Sequence, residues 1–250
     1  MLFNLLRNLV FSTTFLVFLP QVNADFVFLH EGNNDPTTEG WILNLTGSGN
    51  SVGSVTNDLG IGIDAWFTDD DTTSGSNVAA YTATPSAAQI AAGNLNGWTL
   101  SANLRVVDIP DAVDSSVIVL YRDGTTSWEM NFGTEADGDT IVQLSGGGQY
   151  TLQGTGTGYH QFDLVYDSAT SSADLLVNGL EVISNNTGSL SASSGAVAWG
   201  AGSTAGTGHG NFASVSFSTV PEPSSIILLG IGMSVWAFRR RGISSGRQSG

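Results

Sequence analysis

The sequence predicts an all-β protein: a two-sheet jelly-roll sandwich flanked by an N-terminal signal helix and a C-terminal hydrophobic helix. Three observations carry this. Glycine fills 32 of 250 positions and charged residues make up only 12%, where an average chain has about 7% glycine and about 25% charge. Short apolar runs with period-two alternation recur between residues 26 and 217, as in strands whose side chains point alternately to two faces. Turn-forming groups separate them: Asp123-Gly124, Asp137-Gly138, Asn178-Gly179 and Asn186-Thr187-Gly188.

Taken in order, residues 1–24 read as a signal peptide. Arg7 is followed by an apolar stretch from Leu9 to Leu19, then by helix-breaking Pro20. Val22 and Ala24 are small residues three and one before a cleavage point between Ala24 and Asp25. Strands are then expected at 26–29, 41–45, 60–67, 78–82, 98–107, 116–122, 127–132, 140–144, 149–153, 159–166, 173–178, 180–184, 196–201 and 213–217. A short helix is expected at 86–92, started after Pro85 and stopped by Gly93. The clearest strand is 159–166. Tyr159, Gln161, Asp163 and Val165 fall on one face, and His160, Phe162, Leu164 and Tyr166 on the other, apolar one. Asn178-Gly179, between two β-rich runs, is the strongest hairpin signal. Residues 25–218 thus make one sandwich domain, followed by a tail at 219–250.

The tail holds Val220-Pro221-Glu222-Pro223, an apolar run at 226–238 and the cluster Arg239-Arg240-Arg241. The run is shorter than the ~20 residues of a comfortable spanning helix. As a transmembrane helix it needs local bilayer thinning, with the arginines on the cytoplasmic side. These three features, in this order, resemble the PEP-CTERM sorting signal, although nine residues, Gly242 to Gly250, follow the arginines. The resemblance implies an exosortase-type membrane transpeptidase as processing partner. It also implies export across the inner membrane of a Gram-negative bacterium, a membrane-anchored precursor, and a final place at the cell surface or in an extracellular polysaccharide matrix.

A second resemblance lies in the domain. Tyr166-Asp167, a Ser/Thr turn and Ala173-Asp174-Leu175-Leu176-Val177-Asn178-Gly179 are similar to a strand–turn–strand signature of concanavalin A-like or laminin-G-like domains. Asn96-Gly97-Trp98 leading into Leu104-Arg105-Val106 resembles an early strand pair of those folds, and Trp199-Gly200 with 212–217 their closing strands. The resemblance implies a jelly roll used by lectins, carbohydrate-binding modules, glycosidases and adhesive modules.

Composition excludes several chemistries. There is no cysteine, and all seven basic residues are arginine. That removes disulfides, thiol nucleophiles, Cys-based zinc, iron–sulfur clusters and lysine Schiff bases. The net charge is −15, against nucleic-acid binding. Within 25–218, two arginines face 21 acids, a balance of −19. Two acidic groups are the sharpest candidates. Glu135, Asp137 and Asp139 alternate as paired glycosidase carboxylates do, but Gly138 and the Asp137-Gly138 turn place them in a hairpin loop. Asp69, Asp70 and Asp71, near Asp58 and Asp64, are hard oxygen ligands that suit calcium. His30, His160 and His209 lack metal-site spacing. Trp41, Trp66, Trp98, Trp128 and Trp199 are read as core rather than as a sugar platform. The expected function is a secreted, surface-sorted, non-catalytic sandwich that binds carbohydrate or gives structure to a polysaccharide matrix. The alternative is a glycoside hydrolase of the concanavalin-like fold.

Overall fold

The computed structural model describes residues 25–72, 77–108, 117–135, 137–154, 158–202 and 207–220. The signal peptide with Ala24, and the tail with Pro221, Glu222, Pro223, its hydrophobic helix and Arg239 to Arg241, lie outside the described residues. Among the described residues, no helix is long and apolar enough to cross a membrane.

In chain order the strands are β1 (Asp25–Glu31), β2 (Ile42–Thr46), β3 (Ser51–Asp58), β4 (Ile63–Asp70), β5 (Val78–Ala83), β6 (Trp98–Asp108), β7 (Val117–Arg122), β8 (Thr126–Thr134), β9 (Thr140–Leu144), β10 (Gln149–Thr151), β11 (His160–Asp167), β12 (Ser172–Val177), β13 (Leu180–Asn186), β14 (Ser189–Leu190), β15 (Ala196–Ala201) and β16 (Gly208–Thr219). They form two antiparallel sheets. The first runs β13-β12-β11-β6-β16-β4-β3, and β1 also pairs with β16. The second runs β10-β9-β8-β7-β15-β5-β2, with β14 on β8. Strand β16 is long enough to take two neighbours on one side. Gly208 to Phe212 pair with β4, and Ser214 to Thr219 pair with β1.

Alternation closes the core between the sheets. Trp98, Leu100, Ala102, Leu104 and Val106 of β6 point inward, as do Phe162 and Leu164 of β11 and Phe212, Val215 and Phe217 of β16. They meet Val117, Val119 and Tyr121 of β7, Met130 and Phe132 of β8, and Trp199 of β15. Aromatic pairs knit the layers. Trp98 meets Tyr121 edge-on at 4.9 Å, and Tyr121 stacks on Phe217 at 4.4 Å, geometries that add to plain area burial. The five described tryptophans belong to the core: Trp41, Trp98, Trp128 and Trp199 are each buried, and Trp66, partly buried against them, donates its indole N–H to the Tyr81 hydroxyl at 2.9 Å.

Several elements differ from the sequence reading. The strand expected at 60–67 begins only at Ile63 and runs on to Asp70. Gly60 and Gly62 form the preceding turn with left-handed φ of 70° and 80°. Strand β3 was not expected, because its Gly, Ser, Thr and Asn content reads as loop and it needs only one partner, at the sheet edge. The helix, α1, covers Ala87–Asn96 and does not stop at Gly93. Ser86 and Gln89 close a capping box at its start. Gly93 stays helical because its bare α-carbon lets the helix lie against Trp98 and Thr219, where an added Cβ would come within 3.3 Å and 3.4 Å. The Asn178-Gly179 hairpin forms as expected, with φ of 51° and 79°, both left-handed as a type I′ turn requires.

Candidate functional site

The outward side of the first sheet is a polar ribbon laid down by strand register. Gln161 of β11 pairs with Asn103 of β6, Asn103 with Ser214 of β16, and Ser214 with Glu31 of β1. The next row joins Asp163, Ser101 and Ser216. At the other end Arg105 pairs with Asn211, and Asn211 with Phe67 of β4. A register shift between Phe212 and Ser214 inserts Ala213 as a bulge. That extra residue lets Asn211 and Ser214 share the outer face while Phe212 and Val215 both remain in the core.

Four side chains converge where this ribbon meets the β3–β4 hairpin. The Asp58 carboxylate accepts Arg105 Nε–H at 2.9 Å and Nη2–H at 3.1 Å, the Tyr159 hydroxyl at 2.8 Å and Asn211 Nδ2–H at 2.7 Å. A ring nitrogen of His209 lies 3.1 Å from Asn211 Oδ1. The Arg105 and Asp58 side chains are only 12% and 10% exposed. Burial alone would raise the Asp58 carboxyl, but bonds from Asn211 and Tyr159 and the charge of Arg105 outweigh it and hold it below the usual carboxylate range. Burial, then the bond to Asp58 and its charge, push the Tyr159 phenol far above its ordinary value. Asp58 is delivered by a tightly specified tip. The register shifts between Val55 and Asp58, Asn57 and Leu59 take left-handed φ of 51° and 54°, and Gly62 N–H donates to Asn57 Oδ1 at 2.6 Å.

The two acidic candidates behave differently. Strand alternation divides the aspartate run. Asp70 turns inward, fully buried, and accepts the Thr72 N–H at 3.0 Å. Asp69 and Asp71 instead line a cleft of about 130 Å³ with Thr207, Gly208 and His209. Among the described residues, no group of three or more His, Asp or Glu side chains is gathered to hold a metal ion. Glu135, Asp137 and Asp139 edge an open cleft of about 470 Å³ with Thr151 and Gln153. They sit in the β8–β9 loop, closed by Glu135 N–H to Asp139 C=O at 2.8 Å, and the Asp139 carboxylate accepts Gly154 N–H at 2.7 Å. His30 is buried, stacked on Trp199 at 4.8 Å and joined to Glu39 at 2.7 Å. His160 opens β11, 3.2 Å from the Asn178 amide.

The Asp58 cluster escaped sequence reasoning because its members are up to 153 residues apart. The available signals were the scarcity of arginine, two in the domain, and the alternation His209-Gly210-Asn211 in a strand.

Comparison with known proteins bears on the tail and on the fold. Residues 219–241 match the PEP-CTERM protein-sorting motif. No curated protein matches the chain. Among solved structures, a conserved carbohydrate esterase from the Shiga toxin-encoding bacteriophage phi24B is similar at TM-score 0.57 and 12% identity, covering 80% of this chain and 100% of its own. A family 7 alginate lyase follows at TM-score 0.49 and 11% identity, over 78% of this chain and 94% of that one. A Bacillus licheniformis β-glucanase matches at TM-score 0.46 and 12% identity, over 77% and 97%. At these identities the likeness is one of fold. The motif indicates an exported, membrane-anchored precursor that an exosortase processes. The chain therefore carries a PEP-CTERM protein-sorting motif behind a two-sheet, jelly-roll β-sandwich.

Proposed function

We propose that the sandwich is a non-catalytic, polysaccharide-binding module, released by exosortase processing to the surface or extracellular matrix of a Gram-negative bacterium. The observation that carries this reading is the ribbon of Gln161, Asn103, Ser214, Asp163, Ser101 and Ser216, ending in the Asp58 cluster. Amides and hydroxyls in rows across strands about 4.8 Å apart can both donate to and accept from the hydroxyls of an extended glycan chain. The groups that would do acid–base work are engaged in holding one another. Asp58 is a weak base, since four hydrogen bonds stabilise its charged form. Tyr159 already donates its proton to Asp58 and gives it up only far above neutrality.

The hydrolase alternative needs two carboxylates facing one another across a scissile bond. The acidic cleft of the β8–β9 loop gathers such carboxylates, and there Asp139 is tied to the Gly154 backbone. Affinity electrophoresis of the full chain in gels cast with neutral polysaccharides tests the proposal, with reducing ends assayed in parallel. Retardation without new reducing ends, lost in Ser216→Arg, is the expected result. New reducing ends that vanish in Glu135→Gln would establish the hydrolase instead.

A further inference from the structure

The domain has two arginines and no lysine, and each arginine already faces a carboxylate. Arg122 Nη2–H donates to Glu129 at 3.0 Å on the outer side of the second sheet. Arg105 is closed by both oxygens of Asp58. No arginine or lysine on either sheet is left over for an acidic ligand.

The groups around Asp58 have a common chemistry. A guanidinium edge, a phenol O–H and an amide N–H are all donors, and they come from three separate parts of the chain, residues 105, 159 and 211. Donors converging from unrelated segments onto two oxygens are the complement of a carboxylate, and the guanidinium edge fixes its plane. The carboxylate that fills this place arrives from outside the ribbon, on the tip of the β3–β4 hairpin. Leu59 and Ile61 of that tip are 53% and 60% exposed, so the tip is not buried with its aspartate. Nearby on the ribbon, Asp163 and Glu31 add only negative charge.

We infer that Arg105, Tyr159 and Asn211 form a carboxylate seat, that Asp58 fills it from within, and that this restricts the ribbon to uncharged polysaccharide. The inference deepens the function proposed above and rests on it for the class of ligand; the seat itself rests on geometry alone. Asp58 competes as a tethered group, at an effective concentration that a uronate in free solution does not match. A uronic acid chain on this face thus meets Asp163 and Glu31 with no cation to offset them. A neutral chain loses nothing by Asp58 being in place, because the amides and hydroxyls of the ribbon remain.

Asp58→Ala empties the seat and gives the test, made on the full chain in detergent. Polygalacturonate and a neutral β-glucan serve as gel probes, and sodium acetate against sodium chloride at equal ionic strength as a thermal probe. The wild type should ignore polygalacturonate. Asp58→Ala should gain binding to it by about tenfold or more, as a charge-assisted, two-pronged contact allows. Acetate should raise the melting temperature of Asp58→Ala, or restore its folding, and leave the wild type unchanged. Adding Arg105→Met should remove both gains. A variant that acetate neither folds nor stabilises overturns the seat, and so does a wild type that binds polygalacturonate as well as the variant does. Absence of β-glucan binding by the wild type counts against the proposed function alone, because the acetate response reads the seat without any glycan.

Discussion

Two glycines with positive φ should respond to substitution by very different amounts. Gly179, at the β12–β13 hairpin, has φ of 79°, and an added Cβ would meet nothing within 4 Å. A side chain there bears only left-handed strain, about 1–2 kcal/mol. Gly200, the penultimate residue of β15, has φ of 139°, and its added Cβ would lie 2.5 Å from the Ala79 carbonyl oxygen and 2.6 Å from the Ala80 α-carbon. Those atoms belong to β5, paired with β15 from Val197 to Ala201, and can withdraw only by opening that ladder. Strain of about 1–3 kcal/mol and overpacking of about 1–3 kcal/mol then add, for a total of about 2–6 kcal/mol. In a domain of this size each kcal/mol lowers the melting temperature by roughly 2–4 °C. Gly179→Val should therefore melt a few degrees below wild type, and Gly200→Ala lower still, when near-ultraviolet circular dichroism is followed on heating. Equal shifts, or a milder Gly200→Ala, would refute the argument that contact with β5 dominates at that position.

Acid should weaken the fold through Asp58 and Asp123. Burial raises both, yet hydrogen bonds, with Arg105 at Asp58, leave each below its ordinary value of 3.8. Stability from such depressed carboxyls is complete above that value and is lost as pH falls through the folded values. The urea midpoint should drop below about pH 4, and less steeply in Arg105→Met; a midpoint flat down to pH 3 would remove this role. Calcium should stabilise the chain no more than sodium at equal ionic strength, since Asp70 is turned away from Asp69 and Asp71. A calcium-specific rise that Asp69→Asn with Asp71→Asn abolishes would show that the two outward carboxylates recruit further ligands. Replacing Pro221, Glu222 and Pro223 by alanine should leave the precursor uncut in membranes, read as a size difference on immunoblots, and normal processing would contradict a role for those residues.

What the sequence revealed was whatever neighbours in the chain determine. The face of β11 that buries Phe162 and Leu164 follows from alternation, and the Asn178-Gly179 turn follows from two residues that tolerate positive φ. Strand β3 was missed because Ser51-Val52-Gly53-Ser54-Val55-Thr56-Asn57-Asp58 has weak intrinsic β preference. Its shape depends on β4, where Gly53 leaves room for the ring of Phe67. The aspartate run was read as one donor set, although a strand reaching Asp70 must send successive side chains to opposite faces. The Asp58 seat was invisible for a different reason. Tyr159 and Asp58 are 101 residues apart, and only the order β11-β6-β16-β4-β3 brings them together.

The pairing of β1 with β16 also brings the two ends of the sandwich together. Asp25 lies opposite Thr219, and Val220 N–H donates to Gly97 C=O at 3.0 Å, so the chain enters and leaves the sandwich at one pole. Asn211, at the other end of β16, stands roughly 23 Å from that pole, seven ladder steps on β6 from Trp98 to Arg105 at about 3.3 Å each. Asp25 and Val220, the two ends of the described sandwich, therefore share one pole, and the Asp58 cluster lies toward the other. Because β16 ends at Thr219, a cut anywhere past Val220 would free the sandwich without removing a single rung of the ladder.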